Sequence, residues 1–91
     1  MFLVASYDIV SDRRRARVAN TLKDYGSRVQ YSVFECNLEH GRLSEMLRRV
    51  AGLIDEKEDS FRVYSLCEAC VKRVKTFGKR GIYEEPDVFI V

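Results

Sequence analysis

The stretch from Phe2 to Gly26, FLVASYDIVSDRRRARVANTLKDYG, carries two different periods in succession. Phe2 to Ile9 is apolar on both faces at first, as a central strand covered by other elements would be. Ser11 and Asp12 then offer a helix N-cap. Beyond them Arg15, Val18, Ala19, Leu22 and Tyr25 recur at the spacing of one helix face. Gly26 stands where a left-handed residue closes many helices, so the pattern predicts a helix from Asp12 to Tyr25. A strand that feeds an amphipathic helix opens a layered structure of sheet and helices.

The rest of the chain continues that alternation. In Arg28 to Cys36, Val29, Tyr31 and Val33 fall on one face, and Gln30, Ser32, Phe34 and Cys36 on the other. The β-branched and aromatic content favours a strand, and the pattern fits one bent strand or two. Leu43, Met46, Leu47, Val50 and Ile54 give a second helical stripe that begins near Gly41 or Ser44. Asp55 to Ser60 reads as a charged loop. Phe61 to Leu66 is a further strand, with Phe61 and Val63 facing one way and Tyr64 and Leu66 the other. A short turn from Glu68 to Lys72 leads to Val74 to Phe77, expected as another short strand. Asp87 to Val91 is a final β-prone run after Pro86. The expected fold is therefore α+β: a single ferredoxin-like domain over residues 1–91, with two helices on one face of an antiparallel sheet.

Composition constrains the class without naming a function. Apolar residues make up 46% of the 91 and charged residues 33%, a globular balance. The net charge of +2 does not announce nucleic-acid binding, but its distribution is uneven. Arg13, Arg14, Arg15, Arg17 and Arg28 give the N-terminal third a basic field. Acidic residues concentrate from Glu35 to Asp59 and at Glu84, Glu85 and Asp87. Three cysteines, an odd number, suit a reducing compartment. The opening apolar run lacks a basic n-region and is too short for a signal peptide or a membrane span. A cytoplasmic protein without membrane contact is expected.

Tyr7-Asp8-Ile9, closing the first strand, is the sharpest chemical feature. The end of a central strand beside a helix start is a usual place for a site in folds of this kind. Carboxylate oxygen is the preferred ligand of Mg²⁺, which needs only one or two protein carboxylates. One Asp8 per chain is sparse, but a two-fold axis near this strand would bring two copies together. The bland alternative is that Asp8 caps the following turn. The arginines divide in the same way: phosphate contacts on one reading, a solvated helix face on the other. Tyr7, Tyr31 and Phe34 could stack on bases, although strand aromatics are more often core.

Cys67-Glu-Ala-Cys70 raises redox or zinc chemistry. A zinc site would have to recruit Cys36 and His40, and incidental or buried cysteines are the better reading. His40, the lone histidine, sits in a polar turn and is expected at the surface. No glycine-rich phosphate loop, GxSxG or HExxH motif is present.

Taken in order, the elements have a family likeness. The strand ending Tyr7-Asp8-Ile9 is followed by a helix with Arg15, Arg17, Val18 and Leu22. Then comes Arg28-Val29-Gln30-Tyr31-Ser32-Val33-Phe34-Glu35-Cys36. This series resembles the Cas-two family of CRISPR-associated proteins across essentially the whole chain. The resemblance implies a ferredoxin-like homodimer whose tail, residues 87–91, packs as a strand against the partner subunit at the interface. It implies that Asp8 from both subunits binds a divalent metal, Mg²⁺ or another cation such as Mn²⁺. It implies that Tyr7, Asp8, Arg15, Arg17, Arg28 and Phe34 form the catalytic set. Arg13, Arg14, Arg17 and Arg28 are the candidate nucleic-acid contacts. Family members are endonucleases on single-stranded RNA or double-stranded DNA, and they work with the CRISPR integrase in spacer acquisition. The alternative is a non-catalytic, DNA-binding adaptor that bridges the integrase.

Overall fold

The computed structural model describes residues 1–78, so the expected tail strand at residues 87–91 lies outside the described residues. The elements run β1 (Phe2–Asp8), α1 (Asp12–Leu22), β2 (Gly26–Gln30), β3 (Val33–Asn37), α2 (His40–Ala51), β4 (Ser60–Leu66) and a one-turn α3 (Glu68–Val71). The strands form an antiparallel sheet in the order β2-β3-β1-β4. This is the βαββαβ order of the expected ferredoxin-like fold.

β1 occupies the middle because its residues alternate between two burial states. Leu3, Ala5, Tyr7 and Ile9 join Phe34 and Cys36 of β3 in the core. Val18, Ala19 and Leu22 of α1 and Met46 and Val50 of α2 close over them. Both long helices therefore lie on one sheet face. The register places Val4 opposite Glu35 and Tyr64, and Asp8 opposite Ser60, on the other face. Cross-strand partners share a face, so Asp8, Ser60, Arg62 and Tyr64 all project away from the helices.

Several boundaries differ from the sequence reading, each for a physical reason. α1 ends at Leu22, because Asp24 and Tyr25 donate backbone hydrogen bonds only three residues back, to Thr21 and Leu22. Tyr25 still reaches the core, where it is buried. Gly26 is no left-handed helix cap; it opens β2 in the sheet. A Cβ there would lie 2.6 Å from Cys36 Sγ and press on the Glu35 carbonyl, so close strand approach is what requires glycine. The Arg28–Cys36 run divides into two strands at Tyr31-Ser32, with a register shift between Arg28 and Gln30. The expected strand at Val74–Phe77 does not form. The chain instead leaves α3 in a turn, with Val74 N–H donating to the Val71 carbonyl.

The C-terminal end of α1 is tied to α2 by a shared aromatic. Tyr25 OH donates to Glu45 Oε1 at 2.8 Å and accepts from Arg49 Nη1 at 3.1 Å. Arg42 stacks on the Tyr25 ring at 4.4 Å. The Tyr25 hydroxyl and the nearby Arg42 and Arg49 hold the Glu45 carboxyl below its ordinary value.

Gly26→Ala tests the close approach of β2 and β3. It is expected to cost about 1–3 kcal/mol, measured by urea unfolding, because the added methyl overpacks a strand pair. Gly41→Ala, where nothing lies within 4 Å of an added Cβ, is the matched control and should not destabilise.

Candidate functional site

The C-terminal end of β1 is built by a buried carboxylate that the sequence reading left in a charged loop. Asp59 has a relative exposure of only 9% and receives four hydrogen bonds. Val10 N–H reaches Oδ1 at 3.1 Å, and Asp55 N–H reaches Oδ2 at 2.9 Å. Arg14 donates from Nε to Oδ2 at 2.8 Å and from Nη2 to Oδ1 at 3.2 Å. The β1–α1 loop, the first turn of α1 and the α2–β4 loop are thereby joined at one point. Arg14 and the two backbone donors hold the Asp59 carboxyl well below the usual carboxylate range. Ser11 Oγ caps the same turn by accepting from Arg14 N–H at 3.2 Å.

Beside this clamp lies a groove of about 490 Å³, walled by β1, α1 and the β2–β3 turn. Its lining includes Tyr7, Asp8, Arg15, Ala16, Arg28 and Tyr31. Arg15 is held by the chain itself: Nε and Nη2 donate to the Ile9 carbonyl at 3.3 and 3.1 Å, and Nη1 pairs with Asp12 at 2.7 Å. Arg28 packs over the Phe34 ring, 5.5 Å from its centroid, and its buried Nε has no hydrogen-bond partner among the described residues. Tyr7 OH donates to the Tyr31 carbonyl at 3.2 Å, fixing the hairpin turn.

The structure thus divides the expected site residues. Tyr7, Asp8, Arg15 and Arg28 share the groove. Asp8 is exposed and stands at the strand end, and its side chain has no intrachain hydrogen bond or ion pair among the described residues. Phe34, expected in the catalytic set, is fully buried and supports Arg28 and Tyr7 from beneath, with its ring 6.4 Å from that of Tyr7. Arg14, expected to contact nucleic acid, is instead committed to Asp59. Arg13 and Arg17 are exposed on α1 and do not line the groove. Tyr31, read as core, is 92% exposed at the groove mouth, because it sits in the hairpin turn rather than in a strand.

Two residues near the site went unnoticed in the sequence. Asp59 carried no local signal, since its partners Val10 and Arg14 are 49 and 45 residues away. Arg62 is opposite Ser6 in the register, diagonal to Asp8 and on the same sheet face. The alternation of Phe61 and Val63 with Arg62 and Tyr64 was the signal that could have found it.

The donor set fits a hard cation only in part. Among the described residues no group of three or more His, Cys, Asp or Glu side chains could hold a metal. Asp8 and Asp12 both bring exposed carboxylates of the oxygen type that Mg²⁺ prefers to the groove, but Asp12 is paired with Arg15, so a second chain is the source from which Asp8 could gain a further carboxylate.

The family described as CRISPR associated protein Cas2 matches residues 1–74. A CRISPR-associated endoribonuclease Cas2 of Synechocystis sp. (strain ATCC 27184 / PCC 6803 / Kazusa) is 41% identical over 92 residues, spanning 100% of both chains. The crystal structure of Streptococcus pyogenes Cas2 at pH 6.5 superposes with a TM-score of 0.77 at 37% identity, covering 86% of this chain and 100% of that one. A chain of a partial Cas6-RT-Cas1--Cas2 complex superposes with a TM-score of 0.75 at 25% identity, covering 92% of this chain and 98% of its own. No helix among the described residues is long and apolar enough to cross a membrane.

The clamp has a pH signature. The Asp59 carboxyl lies below its unfolded value of about 3.9, so its stabilisation is complete above that pH. The contribution is lost as pH falls through the folded value. Asp59→Asn should therefore melt below the parent at neutral pH, and the gap should close on acidification below about pH 4, as followed by thermal scans. A gap that widens in acid would contradict the clamp.

Proposed function

The chain belongs to the Cas2 family of CRISPR-associated proteins, and on that premise we propose that it is a metal-dependent endonuclease of spacer acquisition that works as a homodimer. The observation that carries the reading is the Asp8 carboxylate: exposed at the end of the central strand and without a hydrogen-bond or ion-pair partner among the described residues. It projects from the sheet face opposite the two long helices. Two chains meeting through that face would present two such carboxylates to one Mg²⁺ or Mn²⁺ ion. When bound, that ion supplies Lewis acidity at a phosphodiester. The substrate class is RNA or DNA, single-stranded RNA being favoured by the endoribonuclease name of the relatives.

The chain's own residues have distinct tasks. Asp8 holds the ion. Arg28, held over the Phe34 ring, presents its guanidinium to a phosphate with little freedom left to lose. Arg15, tied to the Ile9 carbonyl and Asp12, keeps the strand end in shape and places positive charge at the groove. Arg62 adds a cation on the Asp8 face. Tyr31, exposed at the groove mouth, offers a ring on which a splayed base can stack.

An adaptor role has its own support. The likeness to a chain within a Cas1–Cas2 assembly fits a protein that holds duplex DNA beside the integrase. Arg13 and Arg17, exposed and unpaired among the described residues, are the cations available for that duty. The two roles are compatible, since they draw on different residues.

Asp8→Asn is expected to abolish cleavage of single-stranded RNA and duplex DNA in Mg²⁺, while circular dichroism and melting temperature stay as in the parent. Cleavage at the parental rate would remove Asp8 from the mechanism. Tyr31→Ala should weaken single-strand binding by about 1–3 kcal/mol with little change for duplex, as measured by fluorescence anisotropy. For the adaptor role, replacing Arg13 and Arg17 together should flatten the salt dependence of duplex binding by roughly 0.9 in log–log slope per phosphate contact removed. An unchanged slope would place the duplex elsewhere.

A further inference from the structure

The opposite end of the sheet carries a second chemical feature. β4 ends at Leu66, Cys67 is the N-cap of α3, and Cys70 lies on its single turn. Cys36 is buried as expected of a structural cysteine, whereas the thiols of Cys67 and Cys70 are free and exposed. Three residues of helix advance about 4.5 Å along the axis, within the roughly 4.4–6.8 Å Cα separation that a disulfide spans. A groove of about 620 Å³, lined by Cys67, Met1, Phe2, Leu66, Val71 and Lys72, opens beside them. That volume admits a small organic molecule.

We propose that Cys67 and Cys70 form a redox-active dithiol, oxidised to an intramolecular disulfide by exchange with a low-molecular-weight disulfide that enters this groove. The chemistry is independent of phosphodiester cleavage. The Cys67 thiolate attacks one sulfur of the external disulfide, forming a mixed disulfide and expelling the first thiolate. Cys70 then gives up its proton and attacks Cys67 Sγ, and the second external thiolate leaves. Two protein thiols become one disulfide, and one external disulfide becomes two thiols, each taking up one of the protons released.

The two sulfurs are unequal in the way this sequence requires. The Cys70 backbone N–H, followed by the Cys70 thiol, lowers the Cys67 thiol, while the hydrogen bond to Cys67 and its charge raise Cys70. Cys67 is thus the attacking sulfur and Cys70 the resolving one. Cys36 is withdrawn from the exchange: it is buried, and burial with Glu35 nearby pushes its thiol up to about 11. A zinc reading lacks ligands, since no group of three or more metal-binding side chains exists among the described residues.

The test uses the full chain, reduced and then exposed to oxidised glutathione, quenched by alkylation and mapped by peptide mass. The parent should lose two hydrogens, confined to the peptide joining Cys67 and Cys70. Cys70→Ser should accumulate a glutathione adduct on Cys67. Cys67→Ser should form an adduct on Cys70 more slowly, because Cys67 and not Cys70 lines the groove. Equal adduct rates in the two variants would overturn the assignment. So would oxidation that yields only disulfides between protomers, or stoichiometric zinc on the freshly purified parent.

Discussion

A buried carboxylate cannot be left alone, and Asp59 sets the geometry at the end of β1 because of that constraint. An ionised group withdrawn from water needs charge and hydrogen bonds in return, and removing its partner is costly. Asp59 draws them from three separate segments: the loop at Val10, the first turn of α1 at Arg14, and the loop at Asp55. The departure of the chain from β1 is fixed as a result. So is the angle at which α1 sets out over the sheet, and with it the groove between α1 and the β2–β3 turn. Arg14 is removed from the basic face of α1 by the same arrangement, leaving Arg13 and Arg17 as the exposed pair.

β1 uses its two faces for different purposes. Leu3, Ala5, Tyr7 and Ile9 bind the sheet to the helices, while Ser6 and Asp8 look the other way. The arginines that shape the groove, Arg15 and Arg28, stand on the helical side. Asp8 borders the same groove from the strand end, so the edge of the sheet is where a cation and a phosphate could be held together. One such carboxylate per chain is sparse for a cation, and the sheet face that the described residues leave uncovered would suit the two-fold arrangement proposed above.

The sequence was most legible where local periodicity and long-range packing agree. The first strand through Leu3 and Ala5, the helix through Val18 and Leu22, and Met46 and Val50 of the second stripe reach the core, with Leu43 and Ile54 packed against it and Leu47 exposed. Asp8 also stood out, because a polar residue ending an apolar run is a local signal. Legibility failed where the deciding partner is remote. Asp59 looked like one acid among several, since nothing near it announces Arg14. Gly26 fitted a helix cap until Cys36 lay against it. Phe34 and Tyr31 exchanged expectations because strand parity depends on where the hairpin turns, and the alternation around Gln30 did not reveal the shift in register.

The position of Arg28 has a consequence for recognition kinetics. Among the described residues its buried Nε has no hydrogen-bond partner, and its guanidinium lies over an aromatic ring. Keeping a donor in that condition costs stability in the free protein, about 1–3 kcal/mol for a group with no acceptor. The same cost is recovered when an acceptor arrives, and little torsional entropy is lost on arrival. An anion that engaged Arg28 would therefore gain chiefly in residence time, whereas the exposed Arg13 and Arg17 would act on its approach.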